Sequence, residues 1–110
     1  MKLHKYESEG HGTYYYFWCP GCKHAHAYVC GAPDGNPNWL FNGDFDKPTF
    51  TPSLLIFVMM PDTGRRETCC HLFLTDGKIA YCGDCPHALN GQTVDMVEIP
   101  GDYGLPGIDT

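Results

Sequence analysis

Positive charge is scarce in this chain. Lysine and arginine total 7 against 13 aspartates and glutamates, for a formal net charge of −6. A domain that grips nucleic acid by its phosphates usually carries a basic patch, and here only Arg65-Arg66 cluster, so the balance argues against DNA or RNA as a partner. Long apolar runs are missing too. The longest, Leu54 to Met60, falls far short of the roughly 20 residues that a membrane-spanning helix needs. The segment Met1 to Gly10 is polar and charged and does not read as a secretory signal, so a cytoplasmic location is expected (the host cytoplasm if a phage encodes the chain). Uninterrupted helical patterns are also absent. The 13 glycines and 9 prolines cut the chain into short segments that favour strands joined by tight turns.

What is abundant is cysteine. Seven cysteines stand as two Cys-x-x-Cys pairs, Cys19/Cys22 and Cys82/Cys85, the adjacent Cys69-Cys70, and Cys30. An odd number in an unexported chain is a poor disulfide framework, and such spacing reads as a metal site. Two residues between cysteines let both thiolates of one turn face one ion, which is the need of tetrahedral zinc. A redox dithiol is the rival, but there the motif opens a helix, and Cys19-Pro20-Gly21-Cys22 runs on into Lys23-His24-Ala25-His26. From spacing alone the ligands are Cys19, Cys22, Cys82 and Cys85, with Cys70 as a competitor. Alternation along a strand puts Cys69 and Cys70 on opposite faces, and Cys30 reads as core.

The remaining pattern predicts a mainly β, zinc-ribbon-like single domain over residues 1–110, with its core in about 13–99 and a loosely ordered tail, 100–110. Residues 13–18, 26–30, 39–42, 49–59, 68–74, 78–82 and 94–99 read as strands, and 87–90 as one helical turn. Asp76-Gly77 between two apolar runs is the strongest hairpin signal, since a type I′ turn needs positive φ at both residues. The continuous run Leu54-Leu55-Ile56-Phe57-Val58 suggests a strand covered on both faces. Pro33 to Pro37 is turn chemistry. Trp39, Phe41, Phe45 and Phe50 line a pocket or, more in keeping with a small β domain, form its core. Asp44 and Asp46 read as solvated.

His24, His26, His71 and His87 stand beside the cysteine motifs. His26, His71 and His87 with Asp84 make a candidate second metal site or acid–base group, although a histidine in such a place more often steadies a ligand from outside.

Several motifs occur in a linked order: Phe17-Trp18-Cys19-Pro20-Gly21-Cys22 with His24 and His26, Phe41-Asn42-Gly43, and Lys47-Pro48-Thr49-Phe50-Thr51-Pro52-Ser53. They continue as Cys70-His71-Leu72-Phe73, Asp76-Gly77-Lys78-Ile79, Gly83-Asp84-Cys85 with His87, and Gly91-Gln92-Thr93-Val94. Over most of residues 14–97 the chain thereby resembles a small phage and bacterial family of unassigned function whose members often carry the label ammonia monooxygenase. A short acidic chain without membrane spans does not fit that label. The resemblance implies Cys19, Cys22, Cys70 and Cys85 as zinc ligands, with His26, His71, Asp84 and His87 as a polar group beside them. Some relatives look similar to components of bacterial ubiquitin-like gene clusters, which implies a protein-handling or defence setting. The expected function is thus a small protein with structural zinc that binds another protein, a host or phage factor, rather than an enzyme. The alternative is a zinc-dependent hydrolase using His26, His71, Asp84 and His87, with His71, Asp84 and His87 as the catalytic candidates.

Overall fold

The computed structural model describes residues 2–33 and 38–101, so the turn at Asp34 to Pro37 and the tail from residue 102 lie outside the described residues. The architecture is all β, with two antiparallel meanders and, among the described residues, no helix. The first sheet comprises β1 (Leu3–Ser8), β2 (Gly12–Cys19) and β3 (His24–Cys30) in that order. The second comprises β4 (Leu40–Phe41), β5 (Phe50–Met59), β6 (Arg66–Thr75), β7 (Lys78–Tyr81) and β8 (Thr93–Asp95), again in chain order. No helix of the described residues is long and apolar enough to cross a membrane.

Alternation decides which side chains meet. In β2, Tyr15, Phe17 and Cys19 turn inward, and in β3 His26 and Tyr28 do so. The second sheet answers with Phe50, Leu54, Cys70, Leu72, Leu74, Ile79 and Tyr81. The two inner faces meet through aromatic rings: Tyr28 stacks on Phe50 with centroids 4.3 Å apart, and Tyr15 lies 5.5 Å from the same ring. Phe17, Tyr28 and Phe50 are fully buried, and the two phenylalanines each contribute roughly 1.5–3 kcal/mol by burial. The hairpin between β6 and β7 turns at Asp76 and Gly77, both with positive φ (50° and 74°), as the Asp-Gly signal requires.

Four expectations change. Leu3–Ser8 is a strand, and it packs Leu3 into the core although its other residues are polar enough to conceal it. The run in β5 is covered on one face only: Leu55, Phe57 and Met59 are 44%, 42% and 57% exposed because, among the described residues, no layer lies over the outer face of the second sheet. Residues 87–90 form a hydrogen-bonded turn, with the Asn90 N–H donating to the His87 carbonyl, and no helix. The last strand is short, Thr93–Asp95, and Met96 and Ile99 enter the core from irregular chain.

Candidate functional site

Strand β6 carries Cys70 and His71 side by side, and the pleat sends them to opposite faces of the sheet. Cys70 is fully buried and His71 only partly so. Two chemically different centres grow from this one dipeptide.

On the inner side Cys70 meets the first cysteine turn. Cys19 ends β2, Cys22 lies in the turn before β3, and the Lys23 N–H donates to the Cys19 carbonyl to close it. One ligand atom each from Cys19, Cys22, His26 and Cys70 lie within 4.8 Å of one another, and so do those of Cys70, Cys85 and His87. The Cys85 and Cys70 sulfurs are 3.6 Å apart. Sulfurs bound at about 2.3 Å around a tetrahedral ion sit at this kind of separation. The Cys22 N–H points at the Cys19 sulfur (3.4 Å) and the His71 N–H at the Cys85 sulfur (3.3 Å), contacts that suit thiolates. His26 is buried beside Cys19, and its Nε2 makes no hydrogen bond of good geometry among the described residues.

Without a cation these sulfurs cannot share one charge state. The hydrogen bond from Cys70, aided by His26, Tyr81 and the Cys22 N–H, outweighs burial and holds Cys19 down to about 2. Its bond to Cys19 and its own burial push Cys70 up, while burial and the Cys19 charge push Cys22 up to about 12. One thiolate among neighbours forced to stay protonated is the arrangement that a bound cation relieves. These Cys and His groups can therefore hold a metal ion.

His87 belongs to this inner centre. Its Nδ1 accepts the Leu89 N–H (3.2 Å), so the ring proton stands on Nε2, which faces the sulfurs of Cys85 (3.3 Å) and Cys70 (3.5 Å). The ring also lies over Gly21, where an added Cβ would come within 2.3 Å of it. Glycine in the middle of the cysteine turn leaves the ring room to sit there, and any larger residue would make it shift. Tyr81 covers the other side, with its hydroxyl 3.1 Å from the Cys19 sulfur and its ring edge-on to His87.

On the outer side His71 makes two directed contacts. Its Nδ1 lies 3.0 Å and 3.2 Å from the two carboxylate oxygens of Asp84, and its Nε2 lies 3.2 Å from the Ser53 hydroxyl. Each partner is positioned by the fold. Asp84 sits in the turn after β7, closed by the Cys85 N–H donating to the Cys82 carbonyl. Ser53 sits in an irregular stretch of β5, where the register against β6 shifts between Phe50 and Leu54. Two residues on, Leu55 pairs directly with His71, which puts Ser53 on the same outer face as the imidazole. The Ser53 carbonyl is held by the Trp39 indole N–H at 3.1 Å.

The polar group expected from the sequence thus divides. His71 and Asp84 meet on the outside, His26 and His87 face the sulfurs inside, and His24 is exposed, with its ring 4.7 Å from that of His26. Cys82 stands near His71 and Asp84, away from the sulfur clusters of Cys19 and Cys70. Cys69 is the extra residue at the β-bulge opposite Ile56 and Phe57, and its carbonyl faces the Cys22 thiol. Ser53 was missed by sequence reasoning. Pro52 inside a strand was its one signal, since proline in a ladder marks a bulge and bulges gather at functional sites.

No curated protein and no solved structure matches the chain. Residues 2–82, well over half of the 110-residue chain, match BubE, described as the bacterial ubiquitination-like system serine protease, and the chain belongs to that family.

Proposed function

We propose that this protein is a serine hydrolase that cleaves an acyl bond of a protein substrate, with Ser53 as nucleophile, His71 as base and Asp84 as its orienting carboxylate. The observation that carries this reading is the chain of contacts Ser53 Oγ–His71 Nε2 (3.2 Å) and His71 Nδ1–Asp84 (3.0 Å). Asp84 accepts the Nδ1 proton, which leaves Nε2 with its lone pair toward the serine. In the reaction His71 Nε2 takes the Ser53 proton as the oxygen bonds to the substrate carbonyl carbon. The same proton then goes to the leaving group, and the acyl group stays on Ser53 as an ester. Water, deprotonated by His71, attacks that ester, releases the acid and returns the proton to Ser53.

The metal is structural in this reading, and the ion we infer is zinc, held by Cys19, Cys22, Cys70 and Cys85. Thiolate donors favour zinc over harder ions. The N–H contacts to Cys19 and Cys85 favour Cys85 over His26 as the fourth ligand, with His26 as a polar neighbour of Cys19. An ion closed by four thiolates offers no position for water, so the chemistry belongs to the serine and a zinc-activated water is not needed. The ion instead fixes the triad, because Cys70 precedes His71 and Cys85 follows Asp84.

The family's description supports a protease, and it lends nothing to a monooxygenase. We read the expected protein partner as the substrate, a protein of a ubiquitination-like system, in keeping with that description. The exposed side chains Leu55 and Phe73 flank His71 on the outer face, with exposed Phe57 farther along β5 opposite Thr68; they give such a protein an apolar surface to lie on, and Arg66 stands 4.5 Å over the Phe57 ring.

A fluorophosphonate probe tests the assignment, since it reacts with an activated serine whatever the natural substrate. Wild-type protein should be labelled at Ser53. Ser53→Ala should abolish labelling, and His71→Ala should slow it by on the order of 10³-fold, with metal content unchanged in both. Equal labelling of wild type and Ser53→Ala would sink the reading.

A further inference from the structure

Cys82 takes no part in the proposed metal centre or in the triad, yet it is held beside both. The Cys82 N–H donates to the His71 carbonyl (2.9 Å), and its own carbonyl accepts the Cys85 N–H (3.2 Å). Its backbone is therefore fixed on the His71 side and the Asp84 side together. One ligand atom from each of His71, Cys82 and Asp84 lie within 4.8 Å of one another, and this group shares no residue with the two inner groups.

We propose that His71, Cys82 and Asp84 form a second metal site, for a borderline-soft divalent cation of the Zn²⁺ type, and that its occupation switches the hydrolase off. One nitrogen, one sulfur and one oxygen donor suit zinc, whereas magnesium and calcium demand oxygen throughout. Three protein ligands leave the fourth position to water. Access is open: the side chains of His71 and Asp84 are 25% and 56% exposed, and Cys82 is half-buried. Partial exposure and a carboxylate in place of thiolates make this site weaker than the buried sulfur centre, so it fills only after that centre is full.

Silencing follows from the two nitrogens of one ring. In the working triad the proton of His71 stands on Nδ1, toward Asp84, and Nε2 is free to accept from Ser53. An ion between Asp84 and Cys82 binds at Nδ1, the nitrogen that faces Asp84. The ring proton then stands on Nε2, and the Cys82 thiol releases its own proton to solvent. A ring with its proton on Nε2 donates to Ser53 and cannot take a proton from it. Binding of the ion stands on this geometry alone, while the loss of activity rests on the triad assigned above.

The test uses the full chain with its first metal equivalent bound, titrated with Zn²⁺ alone. Co²⁺ in parallel reports thiolate ligation through its charge-transfer absorption. We expect a second equivalent in wild type and none in Cys82→Ser. We also expect fluorophosphonate labelling of Ser53 to fall at least tenfold as the second site fills, to return on mild chelation, and to persist in Cys82→Ser at the same Zn²⁺ concentration. A single equivalent in both proteins, or equal inhibition of both, would overturn the site. A second equivalent that depends on Cys82 in a protein that the probe never labels would uphold the site and overturn the triad instead.

Discussion

The two faces of β6 make an instructive pair. On the inner face, Cys70 is fully buried among sulfurs and aromatic rings, covered by Tyr81 and by the His87 ring seated on Gly21. On the outer face, one residue later, His71 is partly exposed between Leu55 and Phe73, with carboxylate and hydroxyl on its two nitrogens. Burial serves the first centre because thiolates around an ion need water excluded and their positions locked. Exposure suits the second in the proposed role, because a nucleophile must be reached. Adjacent residues can satisfy these opposite demands because a strand reverses its side chains at every step. Rigidity made on one side is thereby delivered to the other at no distance.

If that coupling holds, damage inside should travel outward and damage outside should not travel inward. The largest effect is expected from Cys70→Ser or Cys85→Ser. Structural zinc supplies on the order of 10 kcal/mol of apparent folding free energy in small domains, so either variant should lose its metal, unfold at a much lower temperature and lose serine labelling. Metal analysis with thermal denaturation reads this directly. His26→Gln, by contrast, should keep the ion; loss of the ion there and retention in Cys85→Ser would exchange their places as fourth ligand. A smaller effect belongs to Gly21→Ala. The added methyl meets the His87 ring, and such overpacking costs typically about 1–3 kcal/mol, so the melting temperature should fall while one metal equivalent remains. The smallest effect on stability is expected from Leu55→Ser, which removes an exposed apolar side chain and should change unfolding free energy by no more than about 0.5 kcal/mol. Its consequence should appear in KM for a protein substrate and not in probe labelling, and a large fall in stability would mean that the outer face is packed after all.

Much of the inner centre could be read from the chain itself. Alternating apolar residues set β2, β3, β6 and β7, and Asp76-Gly77 with positive φ set the hairpin that brings Cys70 toward the second cysteine turn. The Cys-x-x-Cys spacing announced Cys19 and Cys22 because local geometry alone lets two thiolates of one turn converge. Of the outer centre, His71 and Asp84 stood in the polar group expected from the sequence, but Ser53 was hidden, for the opposite reason. Ser53, His71 and Asp84 come from three separate segments, and only the β5–β6 register, with its irregularity before Leu54, brings the serine to the imidazole. No local spacing encodes that meeting. The open face of β5 was equally hidden, since Leu54 to Val58 reads the same whether one face or both are covered. β1 escaped because a single inward leucine is too weak a signal among lysine, glutamate and histidine.

The indole bond to Ser53 gives this small protein a built-in optical signal. Trp39 is one of only 2 tryptophans, and its N–H donates to the carbonyl of Ser53, the residue proposed as nucleophile. Any adduct that shifts the Ser53 backbone lengthens or breaks that bond and changes the polarity around the ring. Formation and decay of the proposed covalent intermediate can then be followed by emission in a stopped-flow instrument, on unlabelled protein, with Trp39→Phe as the control that leaves only the emission of Trp18.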